Sequence, residues 1–250
     1  MSDVAWLFST GVLAGVVSVV VSLASLVSYP ALLAVGLPPL AANVTNTTAL
    51  VFVGPGSSAG SRPELRGQGR RLVRLCLLGA LGGGAGAALL LLTPAAAFEA
   101  VVPWLVGGAS LVLLAGPRLS RFSRVAPGGR EHSPVLNAGV AGVSVYTGYF
   151  GAAGGVLVLA VLTALLDEPL PRTIALKNVV SSVANAVAAI AFALFGPVDW
   201  SAVVPLAAGF LLGGWIGPSV VRRLPADGLR VFIALCGLGV AVKLGVDAYW

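Results

Sequence analysis

Charge is what this sequence has least of. Asp, Glu, Lys and Arg make up 10% of the 250 residues, against about 25% in soluble domains. A chain this poor in charge cannot cover a water-facing surface. Acidic residues are scarcest: Glu99, Asp167, Glu168 and Asp199 all sit at turns, and none interrupts an apolar run. That leaves no carboxylate relay for protons and no carboxylate cage for a cation. There are two cysteines, Cys76 and Cys236, each inside an apolar segment without a ligand partner, and one histidine, His132, in a polar stretch beside Glu131. Metal chemistry and Ser/His or Cys/His catalysis therefore have no constellation to work from, and no cofactor is called for. Short alternating segments of the kind that build a membrane barrel are missing too.

Apolar residues are abundant instead: 58% hydrophobic, with a mean hydropathy of +0.99. Several runs exceed the ~18 residues that mark a membrane span. The reading is an all-α, polytopic helical membrane protein in a cell membrane, with the lipid bilayer as its surroundings. The net charge of +6 comes from arginines clustered between apolar runs, which positive-inside topology explains without nucleic acid.

The run 134–166 organises the chain. It holds Tyr146, Gly148, Tyr149, Gly151, Gly154 and Gly155, with four glycines in eight residues. Each costs about 1 kcal/mol in a helix interior relative to Ala. The spacing predicts two half-helices meeting at a backbone turn. Non-helical backbone persists at membrane depth only where protein covers it or a watery cavity lies beside it. The free N–H groups of the second half-helix would attract anions. The competing reading is close helix packing through small residues.

The halves answer each other. A broken apolar stretch at 4–35, interrupted by Ser22, Ser25, Ser28 and Pro30, parallels 134–166. Gly15 and Gly142 open the two. Pro38-Pro39 answers Pro169-Leu170-Pro171, and Asn46 answers Asn178, each seven residues past its last proline. Each half then reads as one broken element plus three transmembrane helices, paired as in many transporters. If each broken element enters and returns on one side, the strongly basic loops near Arg70, Arg121 and Arg223 all fall on one face, and the second repeat is inverted. The expected divisions are 1–117, first repeat; 118–133, basic cytoplasmic linker; and 134–250, second repeat.

Two polar stripes stand out. Asn178, Ser181, Ser182 and Asn185 share one helical face led by Lys177, and Asn43, Asn46 and Thr47 form its counterpart. An intramembrane lysine is a functional hypothesis by default, although Lys177 could also snorkel to the interface, as Lys243 near the chain end is expected to do. Polar stripes also glue helices together. Ammonium and amide donors on one face suit a small anionic substrate. The candidate substrate-binding set is Ser22, Ser25, Ser28, Asn43, Asn46, Thr47, Tyr146, Gly148, Tyr149, Gly151, Gly154, Gly155, Lys177, Asn178, Ser181 and Asn185.

The run Tyr146-Thr147-Gly148-Tyr149-Phe150-Gly151-Ala152-Ala153-Gly154-Gly155-Val156-Leu157, with Ala175-Leu176-Lys177-Asn178-Val179-Val180 and Asn185, resembles the sulfite exporter TauE/SafE family. Gly196-Pro197-Val198-Asp199-Trp200 and Gly209 through Gly217 resemble it as well. The resemblance covers nearly the whole chain and is most specific in the second half. Where the family's first repeat usually has a glycine cluster, this chain has Ser22-Leu23-Ala24-Ser25. The resemblance implies an integral membrane transporter, often for sulfite, sulfonates or related sulfur anions. The leading function is thus a secondary transporter or exporter of a small sulfur oxyanion, and not an enzyme. The alternative is a non-transporting membrane scaffold or assembly subunit. Substrate, direction and coupling ion are not fixed by the residues, and a homo-oligomer stays open.

Overall fold

The computed structural model describes residues 3–21, 24–53, 65, 67–122, 133–221 and 226–250. Within them the chain is helical throughout: α1 (Asp3–Val21), α2 (Ser25–Ala34), α3 (Pro39–Leu50, extended by a 3₁₀ turn Val51–Val53), α4 (Gly69–Leu92), α5 (Ala95–Phe122), α6 (Pro134–Tyr149), α7 (Gly154–Leu165), α8 (Leu170–Phe195), α9 (Trp200–Val221) and α10 (Ala226–Tyr249). Both apolar stretches read as broken are broken. The first parts between α1 and α2, where Ser22 and Leu23 lie outside the described residues; Ser28 and Pro30 fall inside α2.

Gly69–Leu92, Ala95–Val112 and Arg172–Phe195 are long and apolar enough to cross a membrane, and Asp3–Ser18, Ser25–Ala34, Gly154–Leu165 and Trp200–Ile216 are shorter apolar helices. Many large apolar side chains are exposed, among them Leu81, Leu92, Trp104, Leu194 and Trp215, as a lipid-facing surface requires. This is a polytopic helical membrane protein. One helix of the first half is short. The α3 helix has 12 residues, about 18 Å at 1.5 Å per residue, where a hydrocarbon core is ~30 Å thick. Residues 54–64, which follow its 3₁₀ turn, lie outside the described set.

Helix starts follow from local chemistry. Prolines open α3 (Pro38 and Pro39) and α8 (Pro169, with Pro171 in the first turn), where a missing N–H costs nothing. Ser133 caps α6, its Oγ accepting from the Val135 N–H at 3.2 Å. Asp199 caps α9, its carboxylate accepting from the N–H groups of Ser201 and Ala202.

Lipid gives little hydrophobic drive for helix association, so these helices are held by close backbone contact. Against α9, a methyl on Gly11 would lie 2.5 Å from the Leu206 carbonyl oxygen, and one on Gly15 2.9 Å from that of Phe210; Gly209 and Gly213 return the contact. Against α6, a methyl on Gly82 would lie 2.6 Å from Ser144 Cβ, and one on Gly86 would collide with the Val145 carbonyl. Against α8, Gly79 faces Val180 and Gly83 faces Ala184.

These pairs fix direction. Residue numbers rise together along α1 and α9, and along α4, α6 and α8. They rise together along α3 and α9 as well, through Thr45–Asp199 and Val53–Gly214. Two parallel trios result: α1, α3, α9 and α6, α8, α4. The α7 helix runs back along α6, because Gly139 meets Val161 and Thr147 meets Gly154. The broken element is therefore a hairpin that leaves from the end it entered. That end carries the arginines of α4, since the α7–α8 turn reaches Arg71 through Glu168. Exchanging the first five helices for the last five maps the α1–α9 contact onto α6–α4 and α3–α9 onto α8–α4, while α3–α8 and α5–α10 map onto themselves.

Two sequence matches shift under this packing. Gly142 has open space beside it, and the residue packed as Gly15 is packed is Gly148, which presses on Gly83. Counted from the capping prolines Pro38 and Pro169, the eighth residue is Asn46 in α3 and Lys177 in α8 rather than Asn178.

Candidate functional site

The chain reverses between α6 and α7 over Phe150–Ala153. Gly151 at φ +80° and Ala153 at φ +59° supply the turn. The left-handed region is open to glycine but costs an alanine roughly 1–2 kcal/mol. The α7 helix starts at Gly154 with no side-chain cap; the Gly151 and Ala153 carbonyls take the N–H groups of Gly154, Val156 and Leu157, and the helix start keeps its partial positive charge. Thr147 Oγ1 packs into the space a Gly154 methyl would take. Aromatic rings seat the turn: Phe150 stacks edge-on against Tyr29, with centroids 5.7 Å apart, and Phe98 lies against both Tyr149 and Phe150.

The α3 stripe lies across this turn. Asn43 Nδ2 donates to the carbonyl of Tyr149, the last residue of α6, at 3.0 Å. One helical turn on, Thr47 Oγ1 lies near Gly151. Asn46 faces α2, its Oδ1 accepting from Ser28 Oγ at 2.5 Å. All four side chains are buried, as is Ser25. So Ser28, Asn43, Asn46, Thr47, Tyr149, Gly151 and Gly154, drawn from both halves of the sequence, meet at the break.

The α8 stripe packs against α3 and against α6. Lys177 is buried at 7% exposure; Asn178, Ser181 and Asn185 are half-buried. Ser181 Oγ and Asn185 Oδ1 are shielded from solvent without a hydrogen-bond partner among the described residues, as are Asn43 Oδ1 and Ser144 Oγ. Of the remaining candidates, Gly148 is committed to packing on Gly83, while Tyr146 and Gly155 are half-buried. Lys243, taken to snorkel, is exposed.

Three features were missed. Thr45 accepts from the Asp199 N–H at 3.0 Å and ties the α8–α9 turn to α3. Ser144 lies four residues before Gly148 on the face turned to α4, a spacing the sequence did offer. The Phe98, Tyr29 and Phe150 cluster had no signal, since its members are far apart in the chain. Outside the spans, Glu168 pairs with Arg71 at 2.7 Å and with Arg172 at 3.4 Å. The hydrogen bond from Arg71 is the main cause holding its carboxyl below the usual 4.5. Asp199 is likewise held below the usual range, first by the Ser201 hydroxyl.

A broken helical hairpin with buried amides across its turn defines a membrane protein built around an internal polar site. The chain belongs to the sulfite exporter TauE/SafE family, whose model matches residues 7–244. It is 25% identical to a probable membrane transporter protein of Haemophilus influenzae, over 98% of this chain and 95% of that one. It is also 25% identical to the probable membrane transporter protein ORF9 of Sinorhizobium sp, over 97% and 92%. No solved structure matches. Family and relatives alike place the chain among membrane transporters.

Proposed function

We propose that this protein is a secondary transporter that exports a small anion, with sulfur-containing oxyanions such as sulfite or a sulfonate as its substrate class, across a bacterial plasma membrane. The observation that carries the reading is the uncapped start of α7 placed beside buried side chains of α3. A positive helix end beside a buried polar lining is what a transporter's anion site is expected to offer. Lys177, at the register of Asn46, adds a cation from the other half, and Asn178 and Ser181 continue its stripe.

The reciprocal packing of the two parallel trios supports a pair of repeats related by a two-fold axis. With that axis in the membrane plane the second repeat is inverted, and the α6–α7 hairpin is re-entrant from the arginine-rich, cytoplasmic face. Rocking of one trio against the other then alternates access to the break.

The test is anion flux in proteoliposomes. Lys177→Ala and Asn178→Ala are expected to abolish sulfite or sulfonate flux while the melting temperature stays near wild type. Flux at the wild-type rate in both variants would remove α8 from the mechanism, and no flux of any sulfur anion in the wild type would remove the substrate class.

A further inference from the structure

The break presents a positive helix start and, across the turn, a buried acceptor. At the start of α7 the N–H groups of Gly154, Val156 and Leu157 bond the Gly151 and Ala153 carbonyls, and the Gly155 N–H has no partner among the described residues. The acceptor is Asn43. That amide is 1% exposed, and its orientation is settled by its own bond: Nδ2 must be the atom facing the Tyr149 carbonyl. Oδ1 is therefore the atom left over, and no donor among the described residues reaches it. A buried acceptor without a donor is destabilising. It is held in place by the same bond that anchors α3 to the turn, so it cannot rotate away without breaking that bond. Asn185 Oδ1 on α8, which packs against α3, is a second buried amide oxygen in this condition.

An anion carrying only lone pairs would satisfy the α7 start and repel Asn43 Oδ1. An anion that also carries an O–H or N–H would satisfy both. We infer that the transported anion bears a hydrogen-bond donor next to its negative charge, as a hydroxy- or amino-sulfonate or a protonated oxyanion does, and that Asn43 is the residue that reads it. This rests on the anion-site reading above.

The matched probes are 2-hydroxyethanesulfonate and ethanesulfonate, which differ by one hydroxyl group. Binding of each to the full-length protein in detergent is measured by thermal shift and calorimetry. The wild type is expected to bind the hydroxylated ion at least about tenfold more tightly, because a polar site left unpaired rejects the analogue lacking its partner. In Asn43→Ala the ratio of the two affinities is expected to fall toward one. Equal wild-type affinities would overturn the inference and leave the anion-site reading standing. A ratio preserved in Asn43→Ala would overturn the role of Asn43. Stabilisation by sodium chloride over choline chloride, lost in Asn43→Ala, would overturn it by making the oxygen a cation ligand. No binding of either sulfonate, sulfite or sulfate would take down both readings. Should Asn43→Ala fail to fold, the wild-type ratio alone still decides.

Discussion

The two broken elements are built alike and finished differently. In the first half, most polar groups near the break are closed: Ser28 donates to Asn46, Thr48 donates to the Val44 carbonyl, and Thr45 accepts from Asp199 of the second half, while among the described residues there Asn43 Oδ1 alone stays open. The described end of that break, Ala24, has ordinary right-handed backbone at φ −47°. In the second half the turn needs Gly151 and Ala153 in the left-handed region, and Ser144, Ser181 and Asn185 keep buried oxygens without partners. The backbone of the second turn bonds itself, Gly151 N–H to the Tyr146 carbonyl and Gly154 N–H to that of Gly151, so what this half leaves open are side-chain oxygens. The first half therefore reads as the frame, and the second as the half that meets the ligand. Asn43 crosses between them.

The strongest test concerns what the halves share. Gly86→Val and Gly213→Val each drive a side chain into the backbone of the facing helix, α6 in one case and α1 in the other. Overpacking costs typically 1–3 kcal/mol and more where backbone blocks relaxation. Neither variant is expected to yield a monodisperse protein on size exclusion, while Gly142→Ala, with open space beside it, is expected to be neutral or to stabilise by up to about 1 kcal/mol. If Gly86→Val is tolerated and Gly213→Val is not, the two trios are not equivalent in packing.

Next comes the contrast between the two polar linings. Ser28→Ala strips Asn46 Oδ1 of its donor and is expected to cost about 1–3 kcal/mol in thermal stability. Ser181→Ala removes an oxygen that already lacks a partner; its cost is expected to be under about 0.5 kcal/mol, with anion flux reduced. Reversal of this pattern, with stability lost in α8 and flux lost in α2, would exchange frame and site.

Much of this was legible in the residues. Glycine density placed the second break, prolines placed the starts of α3 and α8, and helical spacing gathered both polar stripes, because all three are local signals. What was not legible is which side chains satisfy which. Asn46 reads as a side-chain donor, and nothing in the sequence says that its oxygen is taken by Ser28, 18 residues away. Asn43 and Asn46 are indistinguishable in sequence and differ only in what packs beside them. The alignment of Gly15 with Gly142 failed for a similar reason: spacing within a repeat does not say which face of the helix meets its neighbour. Polar pairing and helix-face choice are tertiary facts.

A smaller effect tests the arginine-rich end. The Glu168 carboxyl is held below its usual value, chiefly by Arg71. A depressed acid contributes stability that is complete above its unfolded pKa and is lost as pH falls through the folded one. The wild type is expected to melt at a higher temperature than Glu168→Gln at neutral pH, with the gap closing as pH drops below about 4. A gap that does not move with pH would mean that the pair acts through packing rather than charge.

The smallest effect isolates the turn itself. Ala153→Gly relieves a left-handed alanine worth roughly 1–2 kcal/mol. It also adds about 0.5–1 kcal/mol of chain entropy to the unfolded state and removes a buried methyl worth about 0.8 kcal/mol. These nearly cancel, so the variant is expected within about 0.5 kcal/mol of wild type. Ala24→Gly, at the equally buried alanine of the first break, carries the same two penalties with no strain to relieve, and is expected to cost about 1–2 kcal/mol. The difference between the two melting shifts cancels both shared terms and reads the strain alone. Equal shifts would mean that the second turn stores none, and that its open oxygens, not its backbone, set it apart from the first.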